Sequence, residues 1–265
     1  MKIATKPLWK ETPGLCEEIP TITEYLPPLK KSKIAVIIFA GGGYRVRAEY
    51  EGKDYAVFLA EHGYTAFVVN YRVVPHKFPL QLLDARRAIR FVRRNCEKYG
   101  IDKNKIAVMG SSAGGHLAAL CSTYFEPIEF ENSDEIDKED FIPNYQILCY
   151  PVISLFEEKI ANFGSGRNLL GDLLQEKGEE LSPHRIVSDK TPSAFIWHTF
   201  SDETVNVKNS LLYAESLKDY NIRTELHIFP DGRHGLGLSN GKEKIEYHVS
   251  QWQKLLLNWL KYMEA

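Results

Sequence analysis

The string Gly110-Ser111-Ser112-Ala113-Gly114 has the G-x-S-x-G form in which a serine nucleophile sits on a tight strand-to-helix turn. The string alone is weak, because Gly237-Leu238-Ser239-Asn240-Gly241 has the same form. Context separates them. Ser112 follows the strand-like run Lys105 to Met109 and opens a helical pattern that reaches Tyr124, whereas Ser239 follows no strand and reads as a turn before the last helix. A glycine-rich turn of this kind can also bind phosphate, but neither G-x-G-x-x-G nor G-x-x-x-x-G-K-[ST] is present.

A serine hydroxyl needs a base to take its proton, and the base needs a partner to orient it. His234 lies in the loop Asp231-Gly232-Arg233-His234-Gly235, just beyond a strand pattern ending near Phe229. Asp202 lies just past another strand, in Trp197-His198-Thr199-Phe200-Ser201-Asp202. Loops that follow parallel strands gather on one edge of a sheet, so Ser112, Asp202 and His234 are expected to meet there as nucleophile, orienter and base. The other histidines are less well placed. His116 is one turn into the helix after Ser112 and reads as a packing residue or one that supports the site from behind, His227 lies within a strand and His248 within the last helix. A fourth element is Ala40-Gly41-Gly42-Gly43-Tyr44, directly after a buried strand. Attack on an ester builds negative charge on the carbonyl oxygen, and backbone N–H groups on a glycine-rich loop can approach that oxygen closely.

These residues need a scaffold, and the hydrophobic pattern supplies one. Runs over Thr21–Tyr25, Ile34–Ala40, Thr65–Asn70, Ile106–Met109, Tyr145–Tyr150, Ala194–His198 and Arg223–Ile228 read as strands. Helical patterns cover Glu51–His62, Leu80–Tyr99, Gly114–Tyr124, Val207–Tyr220 and Lys242–Met263. In the last of these, Ile245, Val249, Trp252, Leu256, Trp259 and Met263 fall on one stripe. The runs IAVIIFA and TAFVVN are apolar at nearly every position, as in parallel strands covered on both faces. The expected fold is therefore α/β: one domain over 1–265, built on a mostly parallel sheet of about eight strands with helices on both faces. Two stretches, 126–143 and 155–190, interrupt the alternation as insertions. The first is expected to be solvated, since Glu126 to Asp140 holds eight acidic residues and one lysine. The second is long enough to form a small helical cap over a site.

Composition removes several function classes. With 33 basic and 35 acidic residues among 265, the chain lacks the basic surplus of a nucleic-acid binder. Its longest early apolar run, Ile34–Ala40, is too short to cross a bilayer, and the opening MKIATKPLWKETPG has no signal-peptide core. Cys16, Cys96, Cys121 and Cys149 are scattered, which fits reduced thiols in the cytoplasm and neither a disulfide framework nor a metal site.

Taken together, AGGGY at 40–44, NYRVVP at 70–75, FPLQLLDARRAIRFVRRN at 78–95, GIDKNKIAVMGSSAGGHLAA at 100–119, YPVISL at 150–155, HTFSDETV at 198–205 and GRHGLGL at 232–238 resemble the α/β-hydrolase superfamily. Within it the chain is similar to the HGGG-type esterase branch, and most similar to bacterial acetyl esterases of the acetyl-xylan or sugar-esterase kind. The resemblance implies Ser112 as nucleophile, His234 as base and Asp202 as orienter, with an oxyanion hole from the amides of Gly42, Gly43 and Ala113. It implies no cofactor, and a small acyl ester, plausibly an acetylated sugar, as substrate. The family's histidine ahead of the three glycines is Ala40 here, which bears on how the loop is held. An amide-cleaving hydrolase (formamidase or peptidase-like) and a non-catalytic ligand-binding protein on the same fold stay open as alternatives. A homo-oligomer is compatible with the sequence.

Overall fold

The computed structural model describes residues 1–14, 18–240 and 244–264. Cys16, Gly241 of the second G-x-S-x-G string and the expected helix start at Lys242 lie outside the described residues. Eight strands form one sheet: β1 (Lys2–Pro7), β2 (Thr21–Leu26), β3 (Ala35–Phe39), β4 (Thr65–Asn70), β5 (Ile106–Ser111), β6 (Tyr145–Cys149), β7 (Ser193–Thr199) and β8 (Thr224–Phe229). Their spatial order is β1-β2-β4-β3-β5-β6-β7-β8. β2 runs antiparallel to both β1 and β4, and every other pairing is parallel. The mostly parallel α/β-hydrolase sheet expected from the sequence is thus observed.

Every residue of β3 and β5 is buried. Side chains alternate between the two faces of a strand, so Ile37, Phe39 and Val108 enter one core while Val36, Ile38 and Met109 enter the other. On the first face lie α2 (Leu80–Arg94), α4 (Ser112–Thr123) and α7 (Lys208–Asp219), through Leu82, Ile89, Leu117, Tyr213 and Leu217. On the second lie α1 (Glu49–Glu61) and α9 (Gln251–Glu264), through Tyr55, Leu59, Trp252, Leu256 and Trp259. Trp252 stacks on Trp197 of β7, with ring centroids 5.0 Å apart. The short helices α3 (Cys96–Tyr99), α5 (Phe163–Leu170), α6 (Leu174–Lys177) and α8 (Lys244–Val249) complete the set. Among the described residues no helix is long and apolar enough to cross a membrane.

Three local readings need correction. β1 has no apolar stripe and none of its residues is buried, so hydrophobic patterning misses it. It is held as an edge strand by its backbone ladder to β2 and by Lys6 Nζ donating to Glu24 at 2.8 Å. The expected helix 80–99 breaks at Asn95, whose side-chain amide donates to the Phe91 carbonyl at 2.8 Å in competition with the helical bond. The closing helix likewise breaks at Ser250, whose hydroxyl donates to Tyr247 O at 2.7 Å. N-terminal to that break, Ile245 is exposed and leaves the apolar stripe.

The acidic insertion is exposed along much of its length, yet α2 clasps it. The Arg87 guanidinium bonds both Asp134 oxygens at 2.7 Å and pairs with Asp137 at 2.8 Å. Arg90 donates to the Glu139 carbonyl, and Arg93 to those of Asp140 and Ile142. A second buried knot explains two of the motifs quoted above. Asp84 of α2 accepts from Arg72 Nε and Nη2 and from the Arg72 backbone N–H at 2.9 Å, and from Trp9 Nε1 at 2.8 Å. NYRVVP and the α2 motif are therefore locked to each other beneath the glycine loop.

Candidate active site

β5 ends at Ser111 and α4 begins at Ser112 with no residue between them. Ser112 has φ +53°, a left-handed conformation that costs a non-glycine residue roughly 1–3 kcal/mol. Its neighbours must be small for this turn to close. A Cβ at Gly110 would collide with the Gly114 carbonyl, and one at Gly114 with the carbonyls of Phe39 and Ala40. The Val152 N–H holds the Ser112 carbonyl at 3.0 Å, leaving the side chain to face the loops above the sheet.

His234 Nε2 lies 2.9 Å from Ser112 Oγ, and His234 Nδ1 lies 2.6 Å from Asp202 Oδ2. A carboxylate only accepts, so Nδ1 carries the proton and Nε2 faces the serine hydroxyl as an acceptor. The Asp202 side chain is fully buried. Its Oδ1 accepts from the N–H groups of Thr204 and Val205, both at 2.9 Å, and its Oδ2 accepts additionally from His198 Nε2 at 3.2 Å. Burial alone would push this carboxyl up. The bonds from His198 and His234, the electrostatic attraction of the His234 ring and the Val205 N–H outweigh it and hold the group well below the ordinary carboxylate range. His198 is itself fixed: Nε2 also reaches Val205 O at 3.0 Å, so it bears the proton, and Nδ1 accepts from Ser210 Oγ at 2.8 Å.

The loop after β3 is held at every carbonyl from Ala40 to Tyr44. Tyr71 Oη donates to Ala40 O at 2.6 Å, Ala48 N–H to Gly41 O at 2.9 Å and Arg45 N–H to Gly42 O at 3.0 Å. Asn168 Nδ2 donates to Gly43 O at 2.8 Å, and Val74 N–H to Tyr44 O at 2.9 Å. The Gly41 N–H is taken by Glu51 Oε2 at 2.8 Å. Among the described residues nothing accepts from the N–H of Gly42 or Gly43, and Ala113 sits in the first turn of α4, where N–H groups lack helical partners. These are the three N–H groups that the resemblance assigns to an oxyanion hole. Gly42 has φ +125° and Gly43 φ +64°, conformations a side chain would resist. Ala40 in place of a histidine leaves the loop anchored, because Tyr71, Glu51 and Asn168 hold it from other directions.

A cavity of about 360 Å³ opens on these groups. Gly42, Gly43, Ser112 and His234 line it. Asn162, Ser165 and Asn168 from the 155–190 segment, with Thr204, also line it. Several of these residues carry hydrogen-bonding side chains. His116, expected to pack, is fully buried between Tyr44 Oη at 2.8 Å and Leu181 O at 2.8 Å. Among the described residues no group of three or more His, Cys, Asp or Glu side chains is arranged to hold a metal ion.

The BD-FAE family model matches residues 23–217, a span that contains the glycine loop, Ser112 and Asp202. The chain belongs to the BD-FAE family. A solved structure of the acetyl ester-xyloside bifunctional hydrolase from Caldicellulosiruptor lactoaceticus is 42% identical, covering 98% of this chain and 96% of that one, with a TM-score of 0.88. Endo-1,4-beta-xylanase B of Butyrivibrio fibrisolvens is 35% identical over 84% of this chain and 35% of its own length. The acetylxylan esterase of Xylanibacter ruminicola is 31% identical over 90% of this chain and 47% of its own length. The chain thus spans about a third to a half of the length of these two curated relatives.

Within this BD-FAE chain the six residues singled out from sequence fall around one cavity or next to it. His198, Glu51 and Tyr150 were not singled out. His198 stands four residues before Asp202, a spacing that invites a pairing, but a histidine at a strand end has many other uses. Tyr150 opens the quoted YPVISL run, but nothing in the sequence links it to Glu51, because the two are distant along the chain.

Proposed function

We propose that this protein is a serine carboxylesterase that removes short acyl groups, acetyl above all, from carbohydrate esters. The observation that carries the reading is the continuous hydrogen-bonded chain Ser112–His234–Asp202, whose serine and histidine line a small cavity. In the proposed reaction Ser112 Oγ attacks the ester carbonyl carbon while His234 Nε2 takes its proton. The oxyanion is received by the N–H groups of Gly42, Gly43 and Ala113. Collapse breaks the bond to the alcohol oxygen, which takes the proton from His234, and the acyl group stays on Ser112. Water then attacks the acyl-enzyme, His234 again accepting a proton and returning it to Ser112.

The hydrogen-bonding side chains of Asn162, Ser165, Asn168 and Thr204 along the cavity support an alcohol that carries hydroxyl groups. The relatives named for acetylxylan and acetyl ester-xyloside hydrolysis support the acetyl–sugar class and favour ester over amide. In this reading residues 1–265 act as one α/β-hydrolase domain. The 155–190 segment serves as its cap, and the 126–143 insertion braces α2. A cytoplasmic location belongs to the same reading. It is supported by Cys96, Cys121 and Cys149, which are free thiols.

The test is acetate release from acetylated xylo-oligosaccharides, followed by proton NMR, beside the matching N-acetyl amide. Release from the ester, absent in Ser112→Ala, supports the reading. Equal rates in wild type and Ser112→Ala refute it, and preference for the amide moves the protein to the amide-cleaving class.

A further inference from the structure

Glu51 is a buried carboxyl that the proposed reaction does not use. It lies in the first turn of α1, is 2% exposed, and has no lysine or arginine paired with it among the described residues. Burying a carboxyl without a cationic partner is costly, and burial does push this one above its ordinary range, with the bonds from Tyr150 and Gly41 acting the other way. Such a group persists where its bonds are needed. Oε2 accepts the Gly41 N–H at 2.8 Å, and Oε1 accepts the Tyr150 hydroxyl at 2.8 Å.

Tyr150 extends the connection. Its hydroxyl oxygen accepts the Gly237 N–H at 3.0 Å, three residues beyond His234. Its ring meets the His234 ring edge-on at 5.1 Å. Tyr55 Oη lies 3.2 Å from the same hydroxyl and 3.0 Å from Ser111 Oγ, beside the nucleophile. Gly41–Glu51–Tyr150–Gly237 is therefore one continuous line. It joins the glycine loop to the segment that carries the histidine, with a branch to the serine turn.

We infer that Glu51 is a positioning residue: its carboxylate fixes the first peptide of the glycine loop and, through Tyr150, sets that loop in register with His234. The inference rests on the esterase reading above. With Gly41 N–H held by Glu51, the next two N–H groups are left for the oxyanion. With the carboxylate gone, the Gly41 peptide is free to turn, and Gly42 and Gly43 leave the geometry that only the transition state uses. That predicts a loss in kcat with little change in KM.

The experiment compares wild type, Glu51→Ala, Glu51→Gln, Tyr150→Phe and Ser112→Ala on an acetyl ester. Rates of wild type and of the Glu51 and Tyr150 variants are divided by the concentration of sites titrated with a fluorophosphonate, and the Ser112→Ala rate by protein concentration. Glu51→Ala is expected to lower kcat per titrated site by about 100-fold, the scale of a misplacement near 1 Å, with KM changed less than about twofold. Glu51→Gln, whose amide can still accept from Gly41 and donate to Tyr150, is expected to recover most of that loss. Tyr150→Phe keeps the ring on His234 but cuts the line, and is expected to lose about tenfold in kcat; it decides the matter if Glu51→Ala fails to fold. A Ser112-dependent rate per site that neither Glu51→Ala nor Tyr150→Phe changes overturns the inference alone. So does a loss in Glu51→Ala that appears only as fewer titratable sites. Equal rates in wild type and Ser112→Ala overturn the esterase reading and this inference with it.

Discussion

His234 Nδ1 and Asp202 Oδ2 are 2.6 Å apart, and Asp202 spends its remaining acceptor capacity on His198 and on two backbone N–H groups of its own turn. The carboxylate is therefore fixed before it orients anything. Four donors converge on it, so its position does not depend on His234, whereas the tautomer of His234 depends on it.

Replacing that carboxylate by an amide tests this dependence. Asp202→Asn keeps size and can keep the bonds to Thr204 and Val205, but its –NH2 can face His234 and favour the tautomer with the proton on Nε2. The expected result is a fall in kcat of roughly 1,000- to 10,000-fold with KM little changed. Steady-state kinetics on an acetyl ester checks it, and a loss below tenfold would contradict the assignment of Asp202 as orienter.

His116 sets an acid limit on stability. Burial lowers its pKa from 6.5 to about 4, against a weaker opposing effect of its bond to the Leu181 carbonyl. The folded-state value is the lower one, so on acidification the unfolded chain takes up this proton first. Stability from keeping His116 neutral is whole above about pH 6.5 and is lost progressively down to about pH 4, by up to about 3 kcal/mol. Urea unfolding at a series of pH values should show a steeper acid decline in wild type than in His116→Gln. Identical slopes would contradict the prediction.

Gly114 touches structure and site together. A Cβ there meets the carbonyls of Phe39 and Ala40, where the glycine loop leaves β3. Gly114→Ala should cost about 1–3 kcal/mol in chemical denaturation, the range of overpacked interiors. Because the displaced backbone leads into Gly41–Gly43, activity per folded molecule should fall as well. Full activity per folded molecule would show that the loop tolerates the shift.

Much of this was legible in the sequence for a definite reason. β3 and β5 are apolar throughout because both faces are covered, and Ser112, Asp202 and His234 each follow a strand of one parallel sheet, so topology alone brings them to one edge. What was not legible depends on side chains reaching across the fold. β1 has no apolar stripe, and the breaks at Asn95 and Ser250 come from single side-chain bonds that leave the hydrophobic period almost intact. The acidic insertion reads as solvated because its arginine partners sit about forty to fifty residues earlier on α2. Glu51 is hidden most completely, since its contacts lie 10 residues away at Gly41 and 99 away at Tyr150.

The most direct test of the central claim is covalent labelling of the serine. The protein is treated with a fluorophosphonate, residual esterase activity is followed, and the label is located by peptide mass spectrometry. The account predicts one label per chain, on Ser112, with activity lost in proportion to labelling and no label in Ser112→Ala. Absence of label, or label on another residue such as Ser239 with activity intact, would contradict it.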